Sequence, residues 1–174
     1  MFGLVDVNSI YNKNVAIDGG GIYFDRQVNT FIINSSVVTA NTASRGGGIY
    51  FNLNNGKNIT ANSGSRDGDV IDNMQCINNT AVASGGCIYL SSQNTIKLNH
   101  CNISGNGAVV SGGGLHVDSN SSVSVIQSSF TSNFLRTLLF SILLGFHSLL
   151  FLKLENSWFK TKFADCIVII QVIL

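Results

Sequence analysis

Gly46-Gly47-Gly48-Ile49-Tyr50-Phe51 repeats, letter for letter, the earlier stretch Gly19-Gly20-Gly21-Ile22-Tyr23-Phe24. Two near copies follow, Gly85-Gly86-Cys87-Ile88-Tyr89-Leu90 and Gly112-Gly113-Gly114-Leu115-His116-Val117. Self-similarity at a period of a few tens of residues marks a stacked solenoid, in which each repeat is one layer and buries its apolar side against the next. A second motif runs in step with the first: an apolar residue, two variable residues, then asparagine, at 11–14, 38–41, 76–79, 103–106 and 130–133. Alanine follows two residues later in the first four copies, as Ala16, Ala43, Ala81 and Ala108. The apolar leaders are spaced 27, 38, 27 and 27 residues apart, and Ile22, Ile49, Ile88 and Leu115 are spaced 27, 39 and 27. Both series carry the same long step, so one loop holds the extra residues and leaves both motifs undisturbed.

Between the motifs the apolar residues alternate with period two, the pattern of a strand with one face inward. In the last repeat they are Leu115, Val117, Val123, Val125 and Phe130; in the third, Ile88, Leu90, Ile96, Leu98 and Ile103; in the first, Ile22, Phe24, Phe31, Ile33 and Val38. Three short strands per coil are expected, giving an all-β parallel β-helix with coils of about 27 residues. The crossover preference makes the right-handed form the expected one. The motif residues then have structural roles. Gly20, Gly21, Gly47, Gly48, Gly85, Gly86, Gly113 and Gly114 permit positive φ and close approach of coils. Asn14, Asn41, Asn79, Asn106 and Asn133 suit a tight left-handed corner and, stacked at about 4.8 Å, would join their amides in a ladder. Tyr23, Tyr50, Tyr89 and His116 form one outward column, either a contact surface for sugar or protein or simply rings stacked from coil to coil.

The formal net charge is +1 and 11% of residues are charged, which leaves no footprint for nucleic acid. There is no proline, in keeping with a chain that is nearly all ladder. Cys76, Cys87, Cys101 and Cys166 show no CxxC spacing, so neither a zinc site nor a disulfide framework is expected and the cysteines read as buried free thiols. Met1 is not followed by a basic region and an apolar stretch, so no signal peptide is expected. The triple glycines lead into strands and lack a lysine, which argues against a phosphate cradle, and no cofactor is expected. His100 and His116 have no partner suggested by spacing and read as solvent-facing. The polar loop 54–72 carries the one acidic cluster, Asp67, Asp69 and Asp72, a weak candidate for a cation. Asn34, Asn58, Asn78, Asn102 and Asn120 head glycosylation sequons.

Of the glycines and asparagines, 17 of 18 and 20 of 21 lie before position 134, so the chain divides into repeats at 1–133 and an apolar tail at 134–174. The uncharged run 137–152 lies between Arg136 and Lys153, slightly short of the ~20 residues that cross a bilayer. Thr137, Ser141, Gly145 and Ser148 would line one helical face. The tail therefore reads as a helical membrane anchor through 134–154, as a capping element, or as sequence translated out of frame. Lys153, Lys160 and Lys162 follow the run, so a spanning helix would leave the repeats outside the cell.

The pairing of an apolar-x-x-Asn tetrad with a Gly-Gly-x-Ile tetrad resembles the repeat of the chlamydial polymorphic outer membrane proteins. Phe130-Thr131-Ser132-Asn133 matches the first tetrad literally; Gly20-Gly21-Ile22 and its counterparts match the second with glycine or cysteine for the usual alanine. The resemblance covers 11–133 and implies a pectin-lyase-like right-handed β-helix, exposed at a cell surface or outer membrane. It also implies a role in adhesion, with glycans or host surface proteins as partners. Those proteins end in a large β-barrel that has no counterpart in this sequence. Pectin-degrading relatives of the fold use clustered aspartates with basic residues, and no such cluster stands on the strands here. A non-enzymatic surface protein is the leading expectation, a polysaccharide-acting enzyme or a bare scaffold piece the alternatives.

Overall fold

In the computed structural model, which describes residues 2–25, 28–52, 69–91, 94–119, 121–135 and 159–160, the chain is an all-β parallel solenoid. Four sheets form its walls. Wall A stacks Phe2–Val7, Val28–Asn34, Asp69–Asp72, Thr95–Asn99 and Ser122–Ile126. Wall B stacks Ile10–Asn12, Val37–Thr39, Gln75–Ile77, Asn102–Ser104, Ser129–Thr131 and Phe159–Lys160. Wall C holds Thr42–Arg45, Thr80–Ser84, Gly107–Ala108 and Phe134–Leu135; wall D holds Ile22–Phe24, Ile49–Phe51, Ile88–Leu90 and Leu115–Val117. The sequence led us to expect three strands per coil, and wall C is the fourth. It escapes the period-two signal because its inward residue is one alanine per coil, Ala43, Ala81 and Ala108, all buried. The parallel ladder also runs past Asn133, through Phe134–Leu135 on wall C and Phe159–Lys160 on wall B. The remainder of the expected anchor at 134–154 and most of the loop 54–72 lie outside the described residues. No described helix is long and apolar enough to cross a membrane.

Register places equivalent residues over one another: Ile22, Ile49, Ile88 and Leu115 on wall D, and Val38, Cys76, Ile103 and Phe130 on wall B. Their side chains fill the interior, where Phe24, Phe31 and Phe51 pack with ring centroids 4.6–5.1 Å apart. Each such side chain withdrawn from water contributes about 1.5–3 kcal/mol.

Three corners of each coil turn on a single residue in the left-handed region. Between walls A and B these are Asn8, Ser35, Asn73, His100 and Gln127; between B and C, Lys13, Ala40, Asn78, Gly105 and Ser132; between C and D, Gly19, Gly46, Gly85 and Gly112. The ladder asparagines are thus not the left-handed residues that the sequence reading made them; the residue before each one takes the positive φ. Only the third corner is always glycine. There a Cβ would overlap the carbonyl oxygen of the residue three positions on, Ile22, Ile49, Ile88 or Leu115. The second glycine of each triplet, Gly20, Gly47, Gly86 or Gly113, lies against backbone of the next coil, and the third, Gly21, Gly48 or Gly114, faces inward.

Freed from the turn, the asparagines are acceptors and donors between coils. Asn14 donates its backbone N–H and its Nδ2 to Asn41 Oδ1 at 2.9 and 3.0 Å. The same pair of bonds recurs from Asn41 to Asn79, from Asn79 to Asn106 and from Asn106 to Asn133, at 2.9–3.1 Å. The second Nδ2 proton reaches back one coil, from Asn41 to the Tyr11 carbonyl, Asn79 to Val38, Asn106 to Cys76 and Asn133 to Ile103, each at 2.9 Å. Asn41, Asn79 and Asn106 are fully buried, which is tolerable because their amides are satisfied.

The cysteines correct the sequence reading. Cys76 and Cys87 form a disulfide, 11 residues apart, inside one coil; Cys101 is free and buried, and Cys166 lies outside the described residues. Cys76 is the apolar leader and Cys87 occupies the third glycine position. Both point into the same interior, although no short motif links them.

Two substitutions and a control separate these roles. Gly47→Ala, whose methyl would collide with Thr80 and Gly86 backbone, is expected to cost about 3 kcal/mol or more in urea unfolding. Asn79→Ala, which orphans the Asn41 N–H and the Val38 carbonyl, should cost about 3 kcal/mol. Exposed Ser132→Ala, at a left-handed corner outside the ladder, should stay within about 1 kcal/mol.

Candidate functional site

The outer face flanking the glycine corner carries the densest chemistry among the described residues. On wall C, Asp18, Arg45, Ser84 and Ser111 stand in register, and five residues further on in each coil come Tyr23, Tyr50, Tyr89 and His116 on wall D. The left-handed glycine folds the second column back beside the first. The sequence reading found the aromatic column and missed the polar one, which mixes an aspartate, an arginine and two serines.

The rings stack along the solenoid axis. Tyr23 to Tyr50, Tyr50 to Tyr89 and Tyr89 to His116 are 5.4, 5.0 and 4.6 Å between centroids and within 20° of parallel. Tyr50 and Tyr89 therefore have both faces covered and are 5% and 9% exposed, whereas Tyr23 is 46% exposed. A sugar approaching the wall from the side meets ring edges and hydroxyls rather than flat faces. Burial pushes the Tyr50 and Tyr89 phenols above their usual pKa. Arg45 locks the two columns together. Its Nε and Nη2 donate to the two Asp18 carboxylate oxygens at 2.9 and 2.7 Å, and its guanidinium lies 4.9 Å from the Tyr50 ring centroid and 5.7 Å from that of Tyr89. The bond to Asp18 raises the Arg45 pKa above an already high value, so the cation is permanent.

His116 closes the aromatic column. Its Nδ1 lies 2.8 Å from Ser111 Oγ, which donates to Ser84 Oγ, also at 2.8 Å. The expected solvent-facing histidine is therefore half-buried with a serine partner, and burial lowers its pKa against the opposing charge of Asp118. Asp118 in turn accepts the Tyr89 hydroxyl at 3.3 Å. His100 likewise has a partner, Asp72, whose Oδ1 is 3.4 Å from His100 Nδ1 and 2.9 Å from Asn99 Nδ2. In both cases the partner comes through a corner or from a neighbouring coil, which linear spacing conceals.

Of the acidic candidates, Asp67 lies outside the described residues, Asp69 begins a wall A strand and Asp72 ends it. No group of three or more histidine, cysteine, aspartate or glutamate residues suited to a metal ion occurs among the described residues. In the first coil, Asp6 is buried on wall A and accepts the Tyr11 and Ser36 hydroxyls at 3.1 and 2.8 Å. Burial, and then the Asp6 charge, raises the Tyr11 pKa. No family model, curated protein or solved structure matches the chain.

Because folding lowers the His116 pKa, the unfolded chain takes up the proton more readily. The stability contributed by the neutral ring is complete above about pH 6.5 and is lost as pH falls through the depressed value. Thermal melts should therefore show a lower midpoint at about pH 5.5 than at about pH 7.5, and His116→Tyr, which restores the ring of the other coils, should reduce that difference.

Proposed function

We propose that this chain is a non-enzymatic surface solenoid that presents its loops and outer walls for adhesion, to glycans or to surface proteins of a host. The observation that carries the reading is the buried Cys76–Cys87 disulfide inside a repeat that resembles those of surface-exposed β-helices. Disulfides persist in oxidising compartments, so the bond supports an extracellular or cell-surface location. The chemistry of the walls supports the non-enzymatic part of this reading: the polar side chains of the two-column face are engaged with one another. Arg45 is held by Asp18, Tyr89 by Asp118 and Ser111 by Ser84 and His116. Within this reading the solenoid is right-handed and pectin-lyase-like, and 134–154 attaches it to a membrane.

The test is immobilised full-length chain offered to a glycan array and to cultured cell monolayers, with the supernatant assayed for reducing and unsaturated sugar ends. Saturable retention with no new sugar ends is the expected result. Release of such ends, abolished by Asp69→Ala, would replace this reading with that of a polysaccharide-acting enzyme.

A further inference from the structure

The third position of the glycine triplet is a steric bottleneck. At Gly21 an added Cβ would lie 3.1 Å from Val38 Cγ1 and from Asn41 Nδ2 and 2.9 Å from the Gly48 carbonyl oxygen. At Gly48 it would lie 3.1 Å from both Val38 Cγ1 and Cys76 Sγ and 2.7 Å from the Cys87 carbonyl oxygen. At Gly114 it would meet the Asn133 amide at 3.0 Å. In three of the four coils the position is filled by the one residue with no side chain. In the coil of Asn79 it is filled by Cys87, which brings both a Cβ and a sulfur, and whose side chain is fully buried.

The leader of that coil is Cys76, also fully buried. A covalent bond lets two sulfurs sit far closer than two unbonded thiols can. The disulfide is thus what makes room for Cys87 in a space shaped for glycine. Asn79 Nδ2 lies 3.3 Å from Cys76 Sγ, so the crowded point abuts the middle of the asparagine ladder.

We propose that the Cys76–Cys87 pair is an oxidative modification site that gates closure of this central coil. Reduced, the two thiols overpack the interior and hold the neighbouring ladder apart; oxidised, the coil stacks like the others. Closure joins Cys76 Sγ to Cys87 Sγ and passes two electrons and two protons to a small-molecule disulfide such as oxidised glutathione, whose S–S bond breaks and which leaves as two thiols. Cys101 stays out of this exchange in the folded chain. Its thiol is held against the Ile71 and Asn99 carbonyls at 3.3 Å, and burial raises its pKa, which disfavours the reactive thiolate. The proposal shares the disulfide with the adhesion reading but requires no adhesive partner.

The gate predicts something a simple cross-link does not. If the bond acted only by restricting the unfolded chain, deleting it by reduction or by mutation would cost the same. If it relieves overpacking, Cys76→Val with Cys87→Gly, which copies the Val38 and Gly48 pair of the preceding coil, should be more stable than the reduced parent. Full-length chain is refolded from urea with oxidised glutathione or with a phosphine reductant, the thiol state is checked by mass after alkylation, and melting is followed by circular dichroism. The expected result is a midpoint for the reduced parent lower by at least about 5 °C than for the oxidised one. The double variant is expected to melt above the reduced parent and to ignore the reductant. A double variant that melts at or below the reduced parent, or fails to fold, overturns the proposal, as does an unchanged midpoint in chain shown to carry both free thiols.

Discussion

A coil stacked in register on its neighbour sets each side chain about 4.8 Å from its own counterpart, and every column of this molecule is constrained by that spacing. A residue type succeeds in a column when it can partner itself. Branched aliphatics do so by packing and asparagine by donating and accepting at once. A flat ring does so by stacking. A charge cannot, so where ions among the described residues enter adjacent coils of one column, Asp18 beneath Arg45, they carry opposite signs. The low charge content of the chain follows from the same requirement.

The same rule explains what could be read from the linear sequence. Walls A, B and D were legible because each brings large apolar residues in a period that repeats with the coil. Wall C was not, since Ala43, Ala81 and Ala108 carry too little apolar surface to mark a strand. The asparagine ladder was legible as a column, but the turn was assigned one residue late. Left-handed corners here accept lysine, alanine, serine and histidine, so composition does not reveal them. Only at the corner where a Cβ meets backbone does the sequence commit to glycine. The disulfide had a readable signal of another kind: with the repeats overlaid, Cys87 is the one non-glycine at its position and Cys76 is the leader of the same coil. Ser111 and His116 were missed as partners because their contact crosses the Gly112 corner rather than following strand periodicity.

The candidate site inherits its character from the scaffold. In a cleft, rings and charges converge on a ligand; along a solenoid wall they converge on one another. The Tyr50 and Tyr89 faces are spent on stacking, and Arg45 on Asp18 and those rings. What remains toward solvent is a ruled surface of edges and hydroxyls, suited to broad, shallow contact more than to holding one small molecule.

The long step between the second and third coils lies at the passage from wall D to wall A, between Phe51 and Asp69. The three other corners are each fixed by a left-handed residue. Ile49 still stacks on Ile88, and Val38 on Cys76, as though nothing had been inserted. The fold thus has a seam at which chain length is decoupled from register. Sequence can be lengthened or exchanged there without re-solving the packing problem, which lets such a molecule diversify its outward display while its interior stays bound by the spacing of its strands.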